Sequence, residues 1–169
     1  MDIFLLLLRL VHVVGGVFWV GGALMMNFFI IPTIGATAQA GQQFAGYLMT
    51  RTRISAALSA SAILTILAGF FLYWHDSQGF TSQWMQAGSG IGFSIGAVLA
   101  LVGFIFGIIL GQLNKKMAFV GSQIKGEPTP EQLAELQKIR SQIKVISPIN
   151  VLSLLLAVVF MSIARYMVF

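Results

Sequence analysis

Four apolar stretches, at about 3–31, 54–74, 88–113 and 145–169, take up most of this chain of 169 residues. Each is long enough to cross a bilayer, whose hydrocarbon core needs roughly 20 residues of helix. Charged residues make up 9% and hydrophobic residues 57% of the chain, too little polar surface for a water-soluble globule. An all-α integral membrane protein of one domain, residues 1–169, is therefore expected. The connections between spans are short except for the one from Met117 to Lys144, which favours an antiparallel bundle of four transmembrane helices.

The boundaries follow from local chemistry. The first span is expected to end at Pro32, which cannot continue a helix, and the third at the cluster Asn114, Lys115, Lys116. The opening run of Phe4 to Leu8 has no basic segment before it and no small-residue cleavage site after it, so it reads as a retained first span and not a signal peptide. With no cysteine, disulfide, thiolate-metal and thiol chemistry are excluded.

Within the long connection, Thr129, Pro130, Glu131 and Gln132 form a helix-start signature: Thr as N-cap, Pro at the first position, Gln three residues on. Leu133, Leu136, Ile139 and Ile143 then recur at helical spacing among Glu135, Lys138, Arg140 and Lys144. This predicts an amphipathic cytoplasmic helix leading into the fourth span, either lying at the lipid interface or docking a partner.

Basic residues are retained on the cytoplasmic face of a membrane. The side of the first and third connections holds Arg51, Arg53, Lys115, Lys116, Lys125, Lys138, Arg140 and Lys144, and the opposite side only Arg9 and Arg165. Both termini and the loop from His75 to Ala87 are therefore expected outside a bacterial inner membrane. The net charge of +5 comes from these anchoring residues, with no soluble basic domain for nucleic acid to bind.

The third span carries Gly92 and Gly96, then Gly103, Gly107 and Gly111 at four-residue intervals. Such stripes let helices approach closely in lipid. The same geometry serves packing within the bundle, a homodimer or larger complex, or room for a flat cofactor.

Polar side chains inside the spans are few, and His12 is foremost among them. An ionisable ring in hydrocarbon must find a partner or cost free energy, which makes it a functional candidate. His12, Gly16, Trp19, Ala23 and Met26 fall along one helical face, with Arg9 nearly in line. The second span returns to the same side at Tyr73, Trp74, His75 and Asp76, and Arg165 arrives there from the fourth.

Two imidazoles with arginines near the surface suit a membrane haem b or related tetrapyrrole serving electron transfer or haem handling. The histidines would supply axial nitrogens, Gly16 and Trp19 the surface beside the ring, and Arg9 and Arg165 the propionate partners. His12 lies about one or two turns deeper than His75, so joint ligation needs tilt, a kink at Gly15 and Gly16, or a displaced loop. His12 alone is the other option. The bland alternative gives His12 a carbonyl or hydroxyl partner on a neighbouring helix and leaves His75 in the aromatic belt with Tyr73, Trp74 and Trp84.

A copper-handling or transport membrane protein is the second reading, with His75, Asp76, Met25, Met26 and Met85 as ligand types, though no tight His/Met cluster occurs. A cofactor-free accessory or scaffold subunit is a third reading. The acids Asp2, Asp76, Glu127, Glu131 and Glu135 are not paired at catalytic spacing within a span.

The segment Leu10, Val11, His12 through Trp19, Gly21, Gly22 resembles the His-x6-Trp-x-Gly-Gly first-helix signature of small bacterial copper-resistance D-like (CopD-like) membrane proteins. It is distantly similar to the first helix of HemJ-type protoporphyrinogen oxidases. The first resemblance extends through Tyr73 to Ser77, Gly90 to Gly96, Pro128 to Gln132, and Ala164-Arg165-Tyr166. It implies a four-helix bundle with His12 at the position of a haem or porphyrin histidine. The oxidases also rely on a lysine in a later transmembrane helix, whereas 88–113 has none and 145–169 has only Arg165 as a basic residue. Porphyrinogen oxidation is therefore not expected.

Overall fold

The computed structural model describes residues 2–124 and 126–169. Lys125, counted above among the basic residues, lies outside them. The described residues are mostly helical, with no strand, and hold four helices long and apolar enough to cross a membrane. Few residues in each are buried, and side chains such as Phe4, Val13, Val17, Leu64 and Val98 face outward. Apolar surface of that extent suits lipid, not water.

The first span begins as α1 (Ile3–Met25), where the Asp2 carboxylate accepts from the Phe4 N–H. It does not stop at Pro32. A π-helical turn (Met26–Ile30) follows, in which the Ile31 N–H reaches back to the Met26 carbonyl, and α2 (Ile31–Ala36) continues with Pro32 in its first turn. The wider π turn shifts the hydrogen-bond register ahead of the proline, so the ring meets a turn already opened and the missing N–H falls at a helix start.

The chain then turns at Thr37 into α3 (Ala38–Thr50), a helix the sequence reading did not anticipate. The second span is α4 (Ile54–Asp76). Ser82 caps a short 3₁₀ turn (Gln83–Gln86) ahead of α5 (Gly88–Gln123).

The Asn114, Lys115, Lys116 cluster does not end that helix, which runs on to Gln123. Lysine is a good helix former. The cluster therefore marks where apolar character ends and not where the helix does. The fourth span and the segment before it are one helix, α6 (Pro130–Ile163), with Pro148 inside it and a short 3₁₀ turn (Ala164–Tyr166) at its end. Its start is the expected capping box: Thr129 Oγ1 accepts from the Gln132 N–H at 3.3 Å, and Gln132 Oε1 from the Thr129 N–H at 3.0 Å. This N-terminal part packs along the extended end of α5, burying Ile139 and Val120 and pairing Lys116 with Glu135 at 3.0 Å.

The most extensive contacts join α5 with α6 and α1 with α4. Along both seams residue numbers rise on one helix as they fall on the other. Gly15 meets Thr65 and Gly22 meets Leu58; Gly92 meets Ala164, Gly96 meets Met161, Gly103 meets Leu154 and Gly107 meets Asn150. Four glycines of the third-span stripe thus face α6 within this chain, while Gly111 stands in open space.

The two pairs join through Trp19, Ala62 and Leu154, with the Trp19 ring edge-on to Phe104 at 6.0 Å. Polar ties flank this core. Tyr73 and Ser94 hydroxyls lie 2.7 Å apart, and the Ser147 hydroxyl donates to the Asn27 side-chain carbonyl. Asn27, within the π turn, also donates to the Ala23 carbonyl at 2.8 Å.

A Cβ on Gly92 would stand 3.0 Å from the Ala164 Cα, a backbone atom that cannot swing aside. Gly92→Ala is therefore expected to destabilise the detergent-purified protein by about 1–3 kcal/mol, as overpacking typically does. Gly111→Ala, where nothing lies within 4 Å, should be neutral or stabilising. Thermal unfolding followed by circular dichroism compares the two.

Candidate functional site

A helical backbone carbonyl already has an intrahelical partner, and a second donor can reach it only where the neighbouring side chains leave room. At Thr65 that room comes from Gly69, one turn on. A Cβ on Gly69 would lie 2.7 Å from His12 Cε1 and 2.8 Å from Nδ1, so only a glycine lets the ring in. On the facing helix, a Cβ on Gly15 would meet Thr65 Oγ1 at 2.6 Å, so Gly15 lets the backbones of α1 and α4 close on each other. The outcome is a hydrogen bond of 2.8 Å between His12 Nδ1 and the Thr65 carbonyl.

This bond fixes the tautomer. A carbonyl only accepts, so Nδ1 carries the hydrogen and donates, and in the neutral ring Nε2 holds the lone pair. Nε2 has no hydrogen-bond partner among the described residues and is not one of their fully enclosed polar atoms. The ring is thus satisfied on one nitrogen and available on the other.

The remaining candidates are distributed as follows. Gly16 lies against Thr65 Cγ2, where a Cβ would make ordinary contact at 3.5 Å, and Trp19 is buried in the core. Arg9 is exposed one turn from His12 toward the N-terminus, and Arg165 is exposed in the 3₁₀ turn after α6. His75 stays in the last turn of α4, exposed, with Nδ1 3.3 Å from Asp76 Oδ1. It lies six residues beyond Gly69, about 9 Å further along the axis at the helical rise. α1 runs as one continuous helix through Gly15 and Gly16. No hydrogen bond joins His12 with His75.

The copper candidates are likewise spread out. Met25 ends α1 and Met26 begins the π turn, more than three helical turns from His12, and Met85 sits in the 3₁₀ turn before α5. Among the described residues no three His, Cys, Asp or Glu side chains cluster as a metal site. One open cleft of about 480 Å³ lies between α5 and α6 beside Lys116, Glu135, Lys138 and Ile139, and another of about 380 Å³ between α2 and α3. Neither is lined by His12 or His75.

Sequence reasoning singled out His12 but missed Thr65 and Gly69. Gly69 is an isolated glycine inside a helical pattern, which often marks close packing. Its pairing with His12, however, depends on the register of two helices. The Thr65 hydroxyl is the only fully enclosed side-chain polar atom without a hydrogen-bond partner among the described residues. Comparisons with protein-family models, curated proteins and solved structures find no match for this chain.

An unpartnered buried hydroxyl contributes nothing to stability, so Thr65→Val should leave the unfolding temperature unchanged or raise it, by up to about 1 kcal/mol of stabilisation. Gly69→Val should displace the His12 ring and destabilise. Equilibrium unfolding in detergent separates the two, and a clear loss of stability in Thr65→Val would show that the hydroxyl has a structural partner.

Proposed function

We propose that this chain binds haem b or a related tetrapyrrole in a bacterial inner membrane, with His12 as its axial ligand, and serves electron transfer or haem handling. The hydrogen bond from His12 Nδ1–H to the Thr65 carbonyl is the partner that the cofactor-free reading of His12 also expects, and what supports a ligand beyond it is the Nε2 left without a hydrogen-bond partner among the described residues. A backbone carbonyl on Nδ1 holds the ring in one tautomer and orientation and raises the basicity of Nε2, as in many metal-ligating histidines. The donor set offers His12 Nε2 as one axial nitrogen, and His75, exposed at the end of α4, is the candidate for a second. The resemblance of the first helix to the copper-resistance D-like and HemJ-type families points the same way.

When bound, the tetrapyrrole supplies one-electron redox chemistry, and the protein contributes position and electrostatics. Thr65 orients the ligating ring, while Gly69 and Gly15 keep α1 and α4 close enough for it to do so. Arg9, exposed one turn from His12 on the side of the N-terminus, can pair with a carboxylate at the membrane boundary. Trp19 anchors this face of α1 in the core, which limits rotation of the helix that carries His12.

The chain is read as an antiparallel bundle of four transmembrane helices, with α5 and the amphipathic start of α6 extending into the cytoplasm. The basic residues of the connections α2–α4 and α5–α6 set that end inside and both termini outside. A reporter active only outside the cytoplasmic membrane, such as alkaline phosphatase, should be active when fused after Phe169 and inactive when inserted at Gly126. The reverse pattern would invert the topology.

An absorption spectrum of protein purified from haem-replete cells, with and without dithionite, tests the ligand. A Soret band that sharpens on reduction is expected. It should be lost in His12→Ala and kept in His75→Ala. A colourless, correctly folded wild-type protein would overturn the assignment.

A further inference from the structure

α3 and the cleft beside it have no part in the His12 site. α3 packs back on α2, and the close approach is permitted by Gly41, where a Cβ would collide with the Ile34 carbonyl. Between them opens the cleft of about 380 Å³, lined almost wholly by apolar groups of Met25, Phe29, Ile30, Ile34 and Phe44. Its size falls within the range of about 300–1,000 Å³ typical of ligand sites.

At 100° per residue, Phe44, Leu48 and Arg51 follow one another along one face of α3 and its C-terminal end. Phe44 is half exposed beside the cleft, and Tyr47, next to it on this face, is 67% exposed. Arg51 and Arg53 close the connection to α4, both exposed and without an ion pair among the described residues. The same end of the molecule gathers Lys115, Lys116, Lys138, Arg140 and Lys144, as the contacts of Lys116 with Glu135 and Ser147 with Asn27 require. Glu127, Glu131 and Glu135 offset only part of this charge, so that end is net positive, while the opposite end has Arg9 and Arg165 as its only basic Lys or Arg residues, beside Asp2 and Asp76.

We infer that α3 is an interfacial helix and that the cleft beneath it seats one acyl chain of an anionic phospholipid, whose phosphate is held by Arg51 and Arg53. A cleft lined almost wholly by apolar groups suits an acyl chain better than a soluble anion. Guanidinium groups left without carboxylate partners select a negative headgroup over a zwitterionic one. The site lies at the opposite end of α1 from His12, so it stands or falls independently of the tetrapyrrole.

The test uses the full chain, delipidated in detergent and titrated with phosphatidylglycerol or phosphatidylcholine, with bound lipid counted by native mass spectrometry. The wild type should retain phosphatidylglycerol in preference to phosphatidylcholine. Arg51→Gln and Arg53→Gln should each reduce that preference about fivefold, the usual effect of one basic residue at an anionic surface. Ala40→Leu, which fills the slot and leaves both arginines in place, should lower retention of both lipids. Tyr47→Trp fluorescence quenched by brominated phosphatidylglycerol would place α3 at the interface. Equal retention of the two lipids by the wild type, or an unchanged preference in the double arginine variant, would overturn the proposal.

Discussion

Hydrocarbon leaves a polar group only the partners that the protein itself provides, and this rule organises the interior of the bundle. Ser61, Ser94 and Ser162 turn their hydroxyls back on carbonyls of their own helices. His12 and Asn150 instead reach across a seam, to the carbonyls of Thr65 and Gly103. Asn27 does both, bonding within its helix and accepting from Ser147 on α6. The cross-helix bonds are the specific ones, because they exist only in one register of each helix pair. They fix which residues face each other, where apolar packing alone would tolerate a slide.

Small residues make those bonds possible. Gly69 opens the Thr65 carbonyl to an imidazole, and Gly103 lets Leu154 sit directly over α5 while its own carbonyl accepts from Asn150 at 2.7 Å. With no hydrophobic force drawing helices together in lipid, close van der Waals contact and a few interhelical hydrogen bonds hold each pair. The two pairs are then locked by one larger group, Trp19, wedged against Phe104, Ala62 and Leu154. The face of α1 that carries His12 is thus held at one end by a hydrogen bond and at the other by a buried ring.

The parts of this arrangement that lie within one helix were legible before any coordinates. The four spans, the capping box at Thr129 and the exceptional position of His12 all follow from hydropathy, side-chain chemistry and spacing. The misreadings have separate local causes. Pro32 looked like a helix end because its effect on a regular α-helix is severe, yet a π turn just upstream changes the helix that it meets. The Lys115–Lys116 cluster looked like an end because it is polar, but helix α5 needs no lipid there and is covered instead by α6. α3 passed unnoticed because a short helix with three glutamines and two glycines has little apolar signal of its own.

Sequence alone determined that the chain offers four membrane-length apolar helices, a strongly basic set of connections and a single imidazole deep in the first span, since each of these is a property of residues close together in the chain. Only the tertiary structure decided that this imidazole meets Thr65 over Gly69, that His75 stays at the end of α4, and that the glycine stripe of α5 receives α6. Those depend on the register between helices, which is set by contacts among residues far apart in sequence and by the fit of a ring into the space that a missing Cβ leaves.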